Sequence, residues 1–178
     1  MKARIAALLL AGAVGAAALA ASAPAGTSGP SACEKTIVGV AAGDKRFSTL
    51  VTLVKQAGLV KTLNGMGNFT VFAPTNAAFA KLKKAAPKTY AAVASDKALL
   101  TKVLTYHVLA TPVPALTAVG AAMKKGTVKT VEGERIKLSL RDGGLYLNGT
   151  SRVIIGDVNA SNGVVHAINT VLVPPSLS

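Results

Sequence analysis

The sequence predicts an α+β protein whose helices come first and whose sheet comes second. In the first half, apolar residues recur at steps of three and four, as at Phe47, Leu50, Val51 and Val54 and again at Leu99, Leu100, Val103 and Leu104. From Thr127 onward the period becomes two, with Ile136, Leu138 and Leu140 alternating with Lys137, Ser139 and Arg141. No repeated βαβ rhythm joins the two patterns, which argues against a doubly wound parallel sheet.

Before the first periodic segment, Lys2 and Arg4 introduce an apolar run from Ile5 to Ala20, and the small residues Ala21, Ser22 and Ala23 follow. This is the pattern of a secretory signal peptide, assigned to residues 1–25. A membrane anchor would need roughly 20 strongly apolar residues, and this run is shorter and rich in Ala and Gly. Residues 26–34 continue without periodicity as a flexible lead, and residues 35–176 are expected to form one domain with one core. The expected location is secreted, extracellular or periplasmic. Cys33, the single cysteine, falls in the lead, so an internal disulfide cannot form and the fold must be held by burial. An incidental thiol and an intermolecular disulfide both remain open for it.

The elements follow in order. Asp44 is placed to cap the helix of Phe47 to Val54, and Gly58 to end it in a left-handed turn. Phe69 to Ala73 is short, aromatic and β-branched, hence a strand; Pro74 ends it, and Thr75 with Asn76 can satisfy the amides of a helix carrying Phe79 and Leu82. Ser95 and Asp96 open a further helix that runs to Tyr106-His107, beyond which Pro112 and Pro114 forbid continuation. Asp142-Gly143-Gly144 turns the first sheet strand back into Leu145–Leu147, and Asn148-Gly149 leads into a third strand over Val153–Val158. Asn162-Gly163 opens the last strand, Val164 to Val173, which Pro174-Pro175 ends. Alternation puts Val164, His166, Ile168 and Leu172 on one of its faces and Val165, Ala167, Val171 and Val173 on the other. Both faces are largely apolar, as in a strand buried between two layers.

Three elements taken together, Asn68 to Phe79, Tyr106-His107, and Asn162 to Pro174, resemble the two boxes and the Tyr-His pair of the fasciclin domain family, over residues 36–175. The resemblance implies a compact β-sandwich or wedge with several helices packed on it, and a secreted adhesion module. In animal relatives the Tyr-His pair is linked to integrin binding, so the resemblance makes Tyr106 and His107 candidate partner-binding residues; structural packing is the competing reading. Asn169 departs from the family, which usually carries Asp there, and any salt bridge of that Asp is in doubt in this chain. Some algal fasciclin-like proteins hold carotenoids. This suggests an alternative function as carrier of a hydrophobic small molecule, with a groove between Phe47, Leu50 and Val54 and the sheet, although the same residues serve equally as core.

Catalytic signatures are absent: there is no nucleophile elbow, no phosphate-cradling Gly-rich loop and no His-Glu-x-x-His. Two widely separated histidines and a cysteine outside the fold give too few ligands for a protein-held metal, so neither catalysis nor a cofactor is expected. His166, flanked by apolar residues, is expected to bond a backbone carbonyl or a neighbour such as Asn76. The charge is more telling. Lysine and arginine total 20 against 7 acidic residues, and loss of Lys2 and Arg4 with the leader leaves a formal +11. Lys81, Lys83, Lys84 and Lys88 form one basic group, and Lys124, Lys125 and Lys129 another. They read either as a solvated face or as a salt-sensitive contact for acidic polysaccharide, teichoic or lipid phosphate, or extracellular nucleic acid. Lysine outnumbers arginine and no aromatics are interleaved, which argues against sequence-specific nucleic-acid recognition. Three sequons, at Asn68, Asn148 and Asn159, would carry glycans only in a host with that machinery. The sequence thus predicts a secreted, non-enzymatic binding or adhesion module whose partner is a cell-surface or matrix protein or an acidic polysaccharide.

Overall fold

A computed structural model describes residues 35–65, 67–124 and 126–177. The assigned leader and lead, Cys33 and Lys125 lie outside the described residues. Helices α1 (Ile37–Gly43), α2 (Ser48–Ala57) and α3 (Val60–Leu63) precede strand β1 (Phe69–Pro74). Helices α4 (Asn76–Ala85), α5 (Pro87–Ser95) and α6 (Lys97–Tyr106) then lead to β2 (Val108–Leu109) and α7 (Ala115–Met123). The chain ends in β3 (Thr127–Lys129), β4 (Arg135–Arg141), β5 (Gly144–Leu147), β6 (Ser151–Ala160) and β7 (Gly163–Ile168).

All seven strands form one sheet in the order β2-β1-β7-β6-β5-β4-β3. The β1–β7 pair is parallel, and the remaining pairs are antiparallel. The sheet curls until its edges meet: the amide of Val131, just beyond β3, donates to the Val108 carbonyl of β2 at 2.8 Å. The expected wedge is therefore a single sheet nearly closed into a barrel. Inside it Phe72, Tyr106, Leu109, Ile136, Leu138, Leu147, Ile168 and Leu172 pack together, with Ala118 and Ala122 of α7 against them. A second core lies outside the β1–β7 half, where Val71, Ala73, Val165 and Ala167 meet Ile37, Leu50, Val54, Leu100, Val103 and Leu104 of the helices. Strand β7 divides the two, with Val165 and Ala167 in one core and Ile168 in the other, as its alternation predicts.

Local chemistry explains most element ends. The Asp44 carboxylate accepts from the Arg46 amide at 2.9 Å and caps a short 3-10 turn before α2. Gly58 closes α2 at φ +78°, where a side chain would be strained. Asp96 accepts from the Ala98 amide at 2.7 Å at the start of α6. Thr75 accepts from the Ala78 amide at 3.4 Å, as expected of a cap. Asn76 does not share that task. Its Oδ1 accepts from the Thr49 amide of α2 at 3.0 Å, and its Nδ2 donates to the Lys45 carbonyl at 2.9 Å, so it caps a different helix from its own. Strand β7 also stops earlier than the sequence suggests. Beyond Ile168 one more backbone bond, from the Asn169 amide to the Arg152 carbonyl, is followed by bonds to side chains: Leu172 donates to His107, and the Thr170 carbonyl accepts from Ser151.

Asn162 fastens the sheet to the helices. Its Oδ1 accepts from the Ile37 amide at 2.9 Å, and its Nδ2 donates to the carbonyls of Leu63 at 2.7 Å and Gly65 at 3.1 Å. Each such bond is worth about 1 kcal/mol net, and orphaned buried partners cost more. Asn162→Ala is therefore expected to destabilise by about 3 kcal/mol, read as a lower urea midpoint at unchanged m-value. An unchanged midpoint would show that the three contacts carry no weight.

Candidate binding surface

Tyr106 closes α6 and His107 caps it, which fixes both rings inside the molecule. Tyr106 is fully buried, and its hydroxyl donates to the Arg135 carbonyl at 3.2 Å while accepting from Asn148 Nδ2 at 2.9 Å. Burial raises its pKa. His107, 2 % exposed, uses both ring nitrogens on backbone. Nδ1 lies 2.7 Å from the Val103 carbonyl, and Nε2 is 2.9 Å from the Leu172 amide, which can only donate. The proton therefore sits on Nδ1, and the ring is neutral. Desolvation holds its pKa down at about 4. As folded, the pair offers no surface to a partner and joins α6 to the segment after β7.

His166 follows the same logic with the nitrogens exchanged. Its Nδ1 accepts from the Asp157 amide at 3.1 Å, so Nε2 carries the proton and donates to the Val113 carbonyl at 2.9 Å. The expected backbone carbonyl partner is present, and Asn76 is engaged elsewhere. Neither histidine retains a nitrogen for a metal or substrate. Among the described residues, no group of three or more His, Cys, Asp or Glu side chains gathers as a metal site.

The basic residues are arranged differently. Lys81, Lys83 and Lys84 lie on the second half of α4, and Lys88 in the first turn of α5, all exposed. Lys83 and Lys84 face the carbonyl end of α4, where a positive charge is favoured. Lys83 Nζ also stands 6.0 Å from the ring centroid of Tyr90. Lys124 caps α7 and Lys129 lies on the edge strand β3, both exposed. The two groups thus ride on separate substructures, the helical layer and the far sheet edge. None of these six described lysines has a carboxylate partner among the described residues. Further cations stand on the outer face of the sheet, Arg135, Lys137 and Arg141 of β4 and Arg152 of β6, and the β4 alternation signals the first three.

Between α1, α2 and the sheet lies an apolar cavity lined by Ile37, Leu50, Val54, Val71 and Leu104, with a volume of about 30 Å³. That is room for little more than one water. A larger groove of about 230 Å³ lies between Phe47 and the Ile155, Val158, Val165 and Ala167 side chains of the sheet.

A family model described as the Fasciclin domain matches residues 45–174. The chain belongs to the fasciclin domain family. It is 44 % identical over 140 residues to Protein sll1483 of Synechocystis sp., covering 79 % of this chain and 74 % of that protein. It is 35 % identical over 168 residues to Immunogenic protein MPB70 of Mycobacterium bovis, covering 91 % and 81 %. Identity to the Transforming growth factor-beta-induced protein ig-h3 of Sus scrofa is 38 % over 141 residues, spanning 79 % of this chain and 20 % of that longer protein. Among solved structures, the FAS1 domain pair from the insect cell adhesion molecule Fasciclin I superposes with a TM-score of 0.69 at 18 % identity, over 82 % of this chain and 53 % of that one. That likeness concerns the fold alone. No helix among the described residues of this fasciclin domain is long and apolar enough to cross a membrane.

Proposed function

We propose that this fasciclin domain is a secreted, non-enzymatic adhesion module that holds polyanionic polymers of a cell surface, matrix or envelope. The observation that carries the reading is the set of exposed lysines without carboxylate partners among the described residues, Lys81, Lys83, Lys84 and Lys88 on one side and Lys124 and Lys129 on the other. Lys125, outside the described residues, continues the second group in sequence. Fixed ammonium groups that no internal anion neutralises draw a charged polymer by releasing its counterions. The insect relative of the same fold is a cell adhesion molecule, and both histidines here are committed to backbone hydrogen bonds. The leader-like start at residues 1–25 supports export.

The test is binding of the leaderless protein to immobilised dextran sulfate across a salt series. Affinity should fall by about tenfold or more between 50 and 200 mM salt. Replacing Lys81, Lys83, Lys84 and Lys88 together by alanine should flatten that dependence. Binding that ignores salt, or no binding at low salt, would defeat the reading.

A further inference from the structure

The helices cover the outer face of the sheet over β1, β7 and the second half of β6, where Ile155, Val158 and Ala160 join the helix-side core. Over β4, β5 and the start of β6, here the β4–β6 face, that side joins no apolar cluster among the described residues, and its residues follow from the register. Arg135, Lys137, Ser139 and Arg141 point outward from β4, since Ile136 and Leu138 between them enter the barrel core. Tyr146 lies opposite Ser139 on one side and Arg152 on the other, and Gly144 lies opposite Arg141. Cross-strand partners share a face. One surface therefore carries four cations around a half-buried tyrosine.

Gly144 gives this surface its shape. Arg152 Nε lies 2.7 Å from the position a Cβ on Gly144 would take, so the guanidinium rests on bare backbone in the space a side chain would fill. Arg141 emerges from the neighbouring strand directly opposite that glycine. Two arginines thus flank one small platform beside the Tyr146 ring, and neither has a carboxylate partner among the described residues. The Ser139 hydroxyl, opposite Tyr146, is shielded from water and has no hydrogen-bond partner among the described residues.

We infer that the β4–β6 face is a recognition site for an acidic polysaccharide, with the anionic group of one sugar between Arg141 and Arg152 and its ring against Tyr146. Guanidinium forks match a carboxylate or sulfate with two parallel hydrogen bonds. An aromatic face beside them suits the C–H surface of a pyranose, which a phosphate polymer lacks. Lys137 and Arg135, at successive alternate positions of β4, extend the positive track for the next acidic residues of an extended chain. The inference rests on the polyanion reading above and assigns it a chemical class and a place that adjoins Lys129, opposite Arg135, and is separate from the Lys81 to Lys88 group.

The experiment compares polygalacturonate oligomers, polyphosphate and single-stranded DNA at fixed ionic strength. Wild type is expected to bind polygalacturonate, and Arg152→Gln to weaken that binding about tenfold. Gly144→Ala keeps every charge yet displaces the Arg152 guanidinium, and should weaken polygalacturonate severalfold while leaving polyphosphate unchanged. Tyr146→Leu should do the same, with its thermal melt checked against wild type; should it unfold, Gly144→Ala and Arg152→Gln decide alone. The quadruple lysine variant should lower affinity for all three polymers alike. Arg152→Gln or Gly144→Ala without effect on polygalacturonate, or with equal effect on polyphosphate, would overturn the site while leaving the broader reading intact. Tighter, Tyr146-dependent binding of DNA would replace the sugar by a nucleic acid. Failure of wild type to bind any polyanion would defeat the broader reading instead.

Discussion

Gly163→Ala is expected to abolish cooperative folding. Gly163 opens β7 with φ +150°, which L-residues seldom adopt, and a Cβ there would overlap the Phe69 carbonyl oxygen of β1. The clash is with backbone at the first rung of the parallel β1–β7 pair, so no rotamer relieves it. Left-handed strain alone costs about 1–3 kcal/mol, and pushing the strands apart at the border of both cores adds to it. A domain stabilised by about 5–15 kcal/mol has little margin for such a loss. Circular dichroism with urea denaturation should show a lost or strongly lowered transition. Gly149→Asn is the contrast: φ there is +73°, nothing lies within 4 Å of the added Cβ, and asparagine tolerates the conformation, so the midpoint should barely move. A Gly163→Ala protein melting within about 2 °C of wild type, less than 1 kcal/mol for this size, would refute the steric argument.

The second large effect is acid destabilisation through His107. The ring titrates at about 4 in the folded protein and at 6.5 in the unfolded chain. Its contribution is whole above pH 6.5, declines as the pH falls because the unfolded chain takes the proton first, and is gone once the pH is below about 4. The difference corresponds to about 3 kcal/mol. Asp44 does not share this window, because its side-chain hydrogen bond with Arg46 holds its carboxyl below its usual 3.8. Urea midpoints measured from pH 7.5 to pH 4 should fall steadily in wild type. His107→Leu should begin lower, since the Leu172 amide loses its acceptor, and should lose most of the slope over this range. An equal slope in the variant would place the acid sensitivity elsewhere.

Much of the architecture was legible because it is written locally. The dipeptides Asp142-Gly143 and Asn148-Gly149 turn at φ +47° and +67° and at φ +50° and +73°, values that these residues accept most readily. The division of β7 between two cores follows from alternation alone. Helix α7 carries no such signal, because its run of small apolar residues has no side-chain cap and little periodicity. Helix α5 carried a usable start signal, Pro87 in its first turn. The tasks of Asn76 and Asn162 depend on partners far away in sequence, which no local pattern announces. The same holds for the candidate surface: Lys81 to Lys88 declare themselves by proximity, whereas Arg152 meets Gly144 only once the strand register is known. Tyr106 and His107 stood out by resemblance, but their sequence context does not reveal the burial that commits their polar atoms to backbone and Asn148.

The parallel pairing of β1 with β7 also orders assembly in time. Phe69 to Pro74 meets its neighbour only after the chain has grown by about ninety further residues, and such distant contacts close late and slowly. A nascent polypeptide halted before Gly163 would lack Val165 and Ala167 of one hydrophobic interior and Ile168 of the other. Folding should therefore be gated by the arrival of β7 beside β1.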